Sequence, residues 1–248
     1  MNDDAIPAAT LILVRERDSG PPELLMVERA PDMVFAGGAW VFPGGRIDEA
    51  DRALAASFAG DDAPARIAAI RETVEETAIA AGLASSPWAG TVQALQDGLH
   101  AGAPFADLLR DCGLELDLDA LTPLARWVPR FHAKRRFDTL FYVARAPQGD
   151  WTPRVVEGEC TAAHWVSAPE ALERDRAGAI QLIFPTRRTL ERLAQHSSFD
   201  AILADARSHS IEPISPWVEE HDGDRFITIP EGIGFPVTRE RLEGLWRG

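Results

Sequence analysis

The chain is short of the features that mark an oxidising compartment, a zinc site or a membrane. Its 248 residues include two cysteines, Cys112 and Cys160, far apart and at no metal or redox spacing. Both are expected to be unpaired, slightly buried thiols in a reducing compartment. The six histidines are scattered, which argues against zinc. No run of about 18 apolar residues occurs, so no membrane span is expected. Met1-Asn2-Asp3-Asp4 is acidic where a secretory signal would be basic, and a cytoplasmic location is the expectation. Basic charge is also scarce, with 25 Lys and Arg against 39 Asp and Glu and a formal net charge of -14. Nucleic acid, which needs a basic footprint, is therefore argued against as the natural partner. A small polyphosphate held by a metal and a local basic patch remains allowed. No repeat or low-complexity linker marks a second domain, and the length suits one domain over 1–248 with insertions or a small appendage. A hydrophobic content of 46% with 26% charged residues is ordinary for a soluble protein. A homodimer is compatible with the sequence, which fixes no oligomeric state.

What is present is an acidic run, Arg71-Glu72-Thr73-Val74-Glu75-Glu76, preceded by Phe42-Pro43-Gly44-Gly45. On a helix Glu72, Glu75 and Glu76 share one arc, while Ile67, Ile70, Val74 and Ala78 fall on roughly the opposite side. Crowding like charges destabilises a helix by about 0.2–0.5 kcal/mol per pair. Such a row is either a solvated acidic face or a set of hard oxygen ligands for a cation such as Mg2+. Glycine at 44 and 45 permits a tight turn and a close main-chain approach to a metal, and favours the second reading. Arg71 is expected to fasten the helix to the glycine turn through a carboxylate. The plain alternative is a surface pair with Glu75.

Arg-Glu-x-x-Glu-Glu after a Pro-Gly-Gly turn resembles the signature of the Nudix hydrolases, Gly-x5-Glu-x7-Arg-Glu-U-x-Glu-Glu-x-Gly-U, with U aliphatic. Gly45 matches the first glycine, Asp51 stands for the first glutamate, and Arg71, Glu72, Glu75, Glu76 and Ile79 match the rest. Ala78 replaces the last glycine, Thr73 replaces an aliphatic residue, and the spacer 52–70 runs 19 residues instead of seven. An insertion within this box resembles the coenzyme A diphosphatases of the peroxisomal type and their bacterial relatives. Leu24-Leu25-Met26-Val27-Glu28-Arg29 with Val41-Phe42-Pro43-Gly44-Gly45, the strand Arg135-Arg136-Phe137-Asp138-Thr139 and Phe184-Pro185-Thr186 are similar to further landmarks of that subgroup. The resemblance implies an α/β Nudix sandwich with a mixed sheet between helical layers. It implies Mg2+ or Mn2+ as cofactor, held by Glu72, Glu75, Glu76 and the carbonyl of Gly44. The implied reaction is hydrolysis of the diphosphate in coenzyme A or acyl-coenzyme A, giving 3',5'-ADP and (acyl-)4'-phosphopantetheine. Alternatives are a diphosphatase for ADP-ribose, NADH or another nucleoside-diphosphate conjugate, and a non-catalytic ligand-binding module. The C-terminus does not resemble a peroxisomal address.

Arg126, Arg130, His132, Lys134, Arg135 and Arg136 form a basic cluster in an otherwise acidic chain. Either they pair with the acidic surface or some receive the charge of a nucleotide-like leaving group, for which the planar fork of arginine is suited. Arg130, Arg135 and Arg136 are the substrate-binding candidates. Glu157 and Glu159 precede the strand around His164-Trp165-Val166, and Glu159 better fits the place from which related enzymes take a base or further ligand. Asp138 either binds substrate or orders its strand. Trp40 and Trp127 either stack on an adenine ring or fill the core.

Apolar stretches and the turn residues around them predict strands at 8–15, 23–29, 40–42, 124–128, 137–145 and 163–166. Helices are expected from about 61 to 81, at 169–177 and at 185–195, with a stop near Gly82. Residues 85–120 read as an inserted helical hairpin, forming a lid or wall over the site or serving as structural padding. Residues 199–248 read as a Pro- and Gly-rich extension with a hairpin at Asp222-Gly223-Asp224.

Overall fold

The computed structural model describes residues 5–33, 36–128, 136–149, 151–156 and 158–242. Arg130, Arg135 and Glu157, all named above, lie outside the described residues.

Apolar runs make the inner parts of the central strands, which are buried on both faces. β1 (Ile6–Arg15) runs parallel to β6 (Phe137–Arg145), and β2 (Glu23–Arg29) is antiparallel to β1. Side chains on successive residues point to opposite faces. Leu11 and Leu13 therefore enter one core with Leu25 and Tyr142, and Ile12 and Val14 enter another with Leu24, Met26 and Val143. Helices α2 (Ala63–Thr77), α3 (Ala89–His100) and α4 (Phe105–Asp111) cover the first face. Helices α5 (Ala168–Arg176), α6 (Phe184–Leu193) and α7 (Phe199–Ser208) cover the second. The expected helix–sheet–helix layering results.

The sheet is mixed and eight-stranded, completed by β3 (Trp40–Val41), β4 (Gly44–Arg46), β5 (Thr122–Trp127), β7 (Cys160–Ser167) and β8 (Pro213–Ile214). One irregularity positions the site. β1 and β2 pair only through Val14–Leu24 and Arg15–Glu23, then splay apart. The segment 40–46 fills the gap, with Trp40 and Val41 pairing to β2 and Gly44–Arg46 pairing to Ala8–Thr10 of β1. This wedge delivers the Pro-Gly-Gly turn to the end of α2.

Three elements depart from the sequence expectation. A short helix, α1 (Glu49–Ala55), forms inside the spacer, begun by a capping box in which Asp48 and Asp51 exchange side-chain-to-backbone bonds. Helix α2 ends at Thr77 rather than near 81, because Ala78 turns left-handed (φ 51°, ψ 32°) where the Nudix signature has glycine. The extension contains α7, β8 and a three-stranded sheet of β9 (Trp217–His221), β10 (Asp224–Thr228) and β11 (Arg239–Arg241). Its expected hairpin is present, with Asp222 and Gly223 both at positive φ, as a two-residue type I′ turn requires.

Candidate active site

The acidic arc of α2 does not face open solvent. It faces the glycine turn, where backbone contact requires Gly44 and a side chain at 45 would displace the carboxylate of Glu72. A Cβ on Gly44 would lie 2.4 Å from the carbonyl oxygen of Ala9, and one on Gly45 2.4–2.6 Å from the carboxylate of Glu72. The amide of Gly44 donates to Glu76 Oε2 at 3.1 Å. Cys160, at the start of β7, is the other neighbour of that carboxylate, with Sγ 3.6 Å from Oε1. Burial raises the Cys160 thiol well above its usual range, with the Glu76 charge adding to the effect.

Arg71 ties this corner together. Nε and Nη2 bond the two oxygens of Asp51 at 3.0 Å each, Nη2 also bonds the carbonyl of Arg46 at 3.0 Å, and Nη1 reaches Glu72 at 2.9 Å and Glu75 at 3.4 Å. Asp51 is 1% exposed, so the bidentate bond is a buried one that pins α2 to α1 and the turn. The anticipated surface pair with Glu75 exists, but it is the longest of the five contacts.

Burial dominates the electrostatics. It pushes Glu72 up to about 7, against the pull of Arg71, with Glu75 and Glu159 adding to the rise. It pushes Glu76 up to about 8, helped by Glu72 and opposed by the Gly44 amide and Arg29. Buried carboxylates that share one cation among them hold protons unusually well. Among the described residues no three His, Cys, Asp or Glu side chains stand ready-gathered around a metal position. Glu72 and Glu75 each turn one oxygen to Arg71, and Glu76 turns to Gly44 and Cys160. The donor set still suits a hard cation, since it offers carboxylate oxygens and a side-chain-free main chain at 44–45.

A cavity of about 1050 Å³ opens over this corner. Glu72, Glu75, Glu76, Gly44, Arg71 and Glu159 all border it, so the structure brings these candidates together. Arg136 borders it as well, while Arg130 and Arg135 fall outside the described residues. Glu159 is exposed on the cavity wall, with its carbonyl bonded by the amide of Ala30 at 2.9 Å. The hairpin supplies another wall through Leu99, His100 and Ala103 to Phe105. Valine, phenylalanine and isoleucine at 41, 42, 141 and 183 make the remaining side apolar.

Other sequence candidates resolve differently. Asp138 is held by Arg126 in a bidentate pair at 2.6 and 2.7 Å, which orders β5 against β6 and gives this member of the basic sequence cluster a carboxylate partner. Trp40 is 6% exposed and stacks on His164 at 4.5 Å, and the cavity lining does not include it. Trp127 borders the cavity but is 1% exposed, held edge-on by Phe184 and Phe235. Both are core residues. Reading the sequence missed Arg29, whose charge opposes the rise at Glu76, and Cys160 as a cavity residue. Arg29 carried a signal, since it lies at the end of a strand otherwise buried.

A Nudix domain family model matches residues 5–97. The chain is 27% identical, over an alignment of 271 residues, to an acyl-coenzyme A diphosphatase of Gallus gallus, with 86% of this chain and 70% of that protein covered. A Nudix hydrolase from Alicyclobacillus acidocaldarius has a solved structure that superposes with a TM-score of 0.71 at 29% identity, covering 82% of this chain and 97% of that one.

Proposed function

Starting from a chain that carries a Nudix hydrolase domain and is a Nudix diphosphatase, we propose that it hydrolyses the diphosphate of coenzyme A or an acyl-coenzyme A. The products would be 3',5'-ADP and 4'-phosphopantetheine or its acyl derivative. The observation that carries this reading is the similarity to an acyl-coenzyme A diphosphatase along 86% of the chain. The cavity supports it, because at about 1050 Å³ it is at the upper end of the range for drug-sized ligands and joins an acidic corner to an apolar side.

Mg2+ or Mn2+ would be held by Glu72, Glu75 and Glu76 beside the main chain at Gly44, where it would neutralise phosphate oxygens and lower the pKa of a bound water. The chain's own residues do the rest. Arg71 spends every N–H on Asp51, Arg46, Glu72 and Glu75, so it positions the ligands and has no donor left for substrate. Glu159, exposed on the cavity wall, would take a proton from the attacking water. Arg136, on the same cavity, carries the charge that meets the leaving group's phosphate. The hairpin and the apolar wall limit water around the scissile bond.

The test is a product screen by mass spectrometry on coenzyme A, a medium-chain acyl-coenzyme A, ADP-ribose and NADH, with and without Mg2+ or Mn2+. Metal-dependent 3',5'-ADP, lost in Glu76→Gln, is the expected result. AMP from ADP-ribose or NADH in its place would keep the diphosphatase and remove the coenzyme A assignment.

A further inference from the structure

The acidic helix ends abnormally, and its loose ends are tied by residues outside it. The last four carbonyls of a helix lack helical partners. In α2 the left-handed turn at Ala78 stops the ladder early, and the amide of Ile79, which would have bonded Glu75, goes to Thr77 Oγ1 at 3.2 Å instead. The Glu75 carbonyl is bonded from the inserted hairpin, by Gln96 Nε2 at 2.9 Å and His100 Nε2 at 3.0 Å. The Thr77 carbonyl is bonded by the amide of Arg154 at 2.8 Å.

Gln96 is the hub of this arrangement. It is 0% exposed, on the apolar side of α3 with Val92 and Leu95, where packing alone would favour another aliphatic residue. A buried amide is retained only where its hydrogen bonds are made. Here the second Nε2 hydrogen goes to the carbonyl of Arg154 at 2.8 Å, and Oε1 accepts from Arg154 Nη1 at 2.9 Å. The orientation of the amide is fixed by these partners, because a flipped group would set its oxygen against two carbonyls. One side chain thus joins the helix of Glu72, Glu75 and Glu76 to the 151–156 segment, which leads to Glu159.

We propose that Gln96 is a positioning residue: from the inserted hairpin it locks the end of the metal-binding helix and the segment leading to the candidate base Glu159 into one frame. The hairpin is then part of the catalytic apparatus, in addition to walling the cavity. The proposal rests on the diphosphatase reading above, and its test is built so that the two can fail separately.

The full-length protein is prepared as wild type, Gln96→Met, Arg154→Met and Asp97→Asn. Methionine keeps the volume of Gln96 and removes all three bonds. Arg154→Met removes the Oε1 bond but keeps the backbone contacts. Asp97→Asn, the control, keeps an oxygen acceptor for Arg154 Nη1, the nitrogen that also bonds Gln96 Oε1, and leaves all three Gln96 bonds in place while removing the charge of an exposed neighbour. Mn2+ affinity is read by electron paramagnetic resonance, and kcat and KM on acyl-coenzyme A separately. Gln96→Met is expected to lose about tenfold in Mn2+ affinity and about tenfold or more in kcat, with KM within about twofold. Arg154→Met should lose less in both, and Asp97→Asn nothing beyond about twofold. A purely structural role would lower the melting temperature and leave Mn2+ affinity and kcat unchanged. If the folded Gln96→Met protein binds Mn2+ within about twofold of wild type, the proposal is overturned, whatever its melting temperature. Should Gln96→Met fail to fold, Arg154→Met decides by the same criterion. If wild type binds Mn2+ but cleaves no diphosphate offered, the functional reading fails and the Mn2+ comparison still decides this one.

Discussion

Two regions of the molecule bury arginine among carboxylates, and they do it differently. At the cavity corner Arg71 faces Asp51, Glu72 and Glu75, and every N–H it has is used. Between α6 and β11, Arg187 and Arg188 face Asp175, Glu191 and Glu240, so cation and anion numbers nearly balance. Yet Arg188 has Nε and Nη1 buried without a partner. The consequences appear in the protonation equilibria. Burial alone would lower Arg71, but its bond to Asp51 and the charges of Glu72 and Asp51 raise it well above the usual range. Burial lowers Arg188, despite Glu191 and Glu240. The α6 region is a finished structural joint with spare donors. The cavity corner is saturated on its cation and has excess carboxylate, as a site awaiting a further positive charge would.

Removing each arginine should separate the two most sharply. Arg71→Met leaves Asp51 buried without its cation, and is expected to destabilise by about 3–5 kcal/mol. Arg188→Met leaves Arg187 on Glu240 and removes two nitrogens without partners, but it also takes the partner of Glu191 Oε1, so a smaller loss of about 1–2 kcal/mol is expected. Urea unfolding of both variants measures the difference, and equal losses would erase the distinction.

The next effect is on turnover. Glu76→Gln should lower kcat by about 100-fold or more while the metal-free protein becomes no less stable at pH 8, because a neutral isostere avoids burying a charge. Glu240→Gln should do the reverse, lowering stability by about 1–2 kcal/mol and changing kcat by less than about twofold. Activity loss from Glu240→Gln equal to that from Glu76→Gln would mean that the extension takes part in the chemistry.

How much of this was legible beforehand depends on the range of the forces involved. Apolar stretches bounded by turn residues marked the strands, and Gly44, Gly45 and the spacing of Glu72, Glu75 and Glu76 marked the acidic corner, because these are local patterns. The partner of Arg71 was expected to be a carboxylate, and Asp51 is one, reached across 20 residues of sequence. The end of α2 was misplaced because alanine ordinarily continues a helix; Ala78, at the signature's glycine position, turns left-handed, and the carbonyls of Glu75 and Thr77 are bonded from outside the helix. Helix α7 was hidden in a tail dominated by Pro and Gly, although Ser198 caps it and Phe199, Ile202 and Ala206 carry its period. The role of Gln96 had no sequence signal, since its three bonds join segments 21 and 58 residues away.

The smallest expected effect, and the one that bears most directly on the awaited charge, is the pH dependence of stability. Glu72 and Glu76 are raised from 4.5 to about 7 and about 8. A carboxyl that binds its proton more tightly when folded stabilises the fold fully below its unfolded value, and that contribution is lost as pH rises through the folded value. Metal-free protein should therefore lose stability from about pH 5 to about pH 8, read as a fall in Tm. Glu191, raised to about 6 by burial, adds to the lower part of that slope from the other region, so Glu191→Gln serves as the baseline. Under the proposed function saturating Mg2+ would act on the cavity corner, binding the deprotonated carboxylates and displacing their protons, so its stabilisation should grow across the same interval. The quantity to measure is the Mg2+-induced rise in Tm at each pH, in wild type, Glu191→Gln and Glu76→Gln. A rise that grows with pH in the first two and is small and flat in the third assigns the excess charge to the cavity corner. A rise that is flat with pH in all three would mean that Glu72 and Glu76 do not receive the cation, and the contrast between the two regions would then reduce to packing.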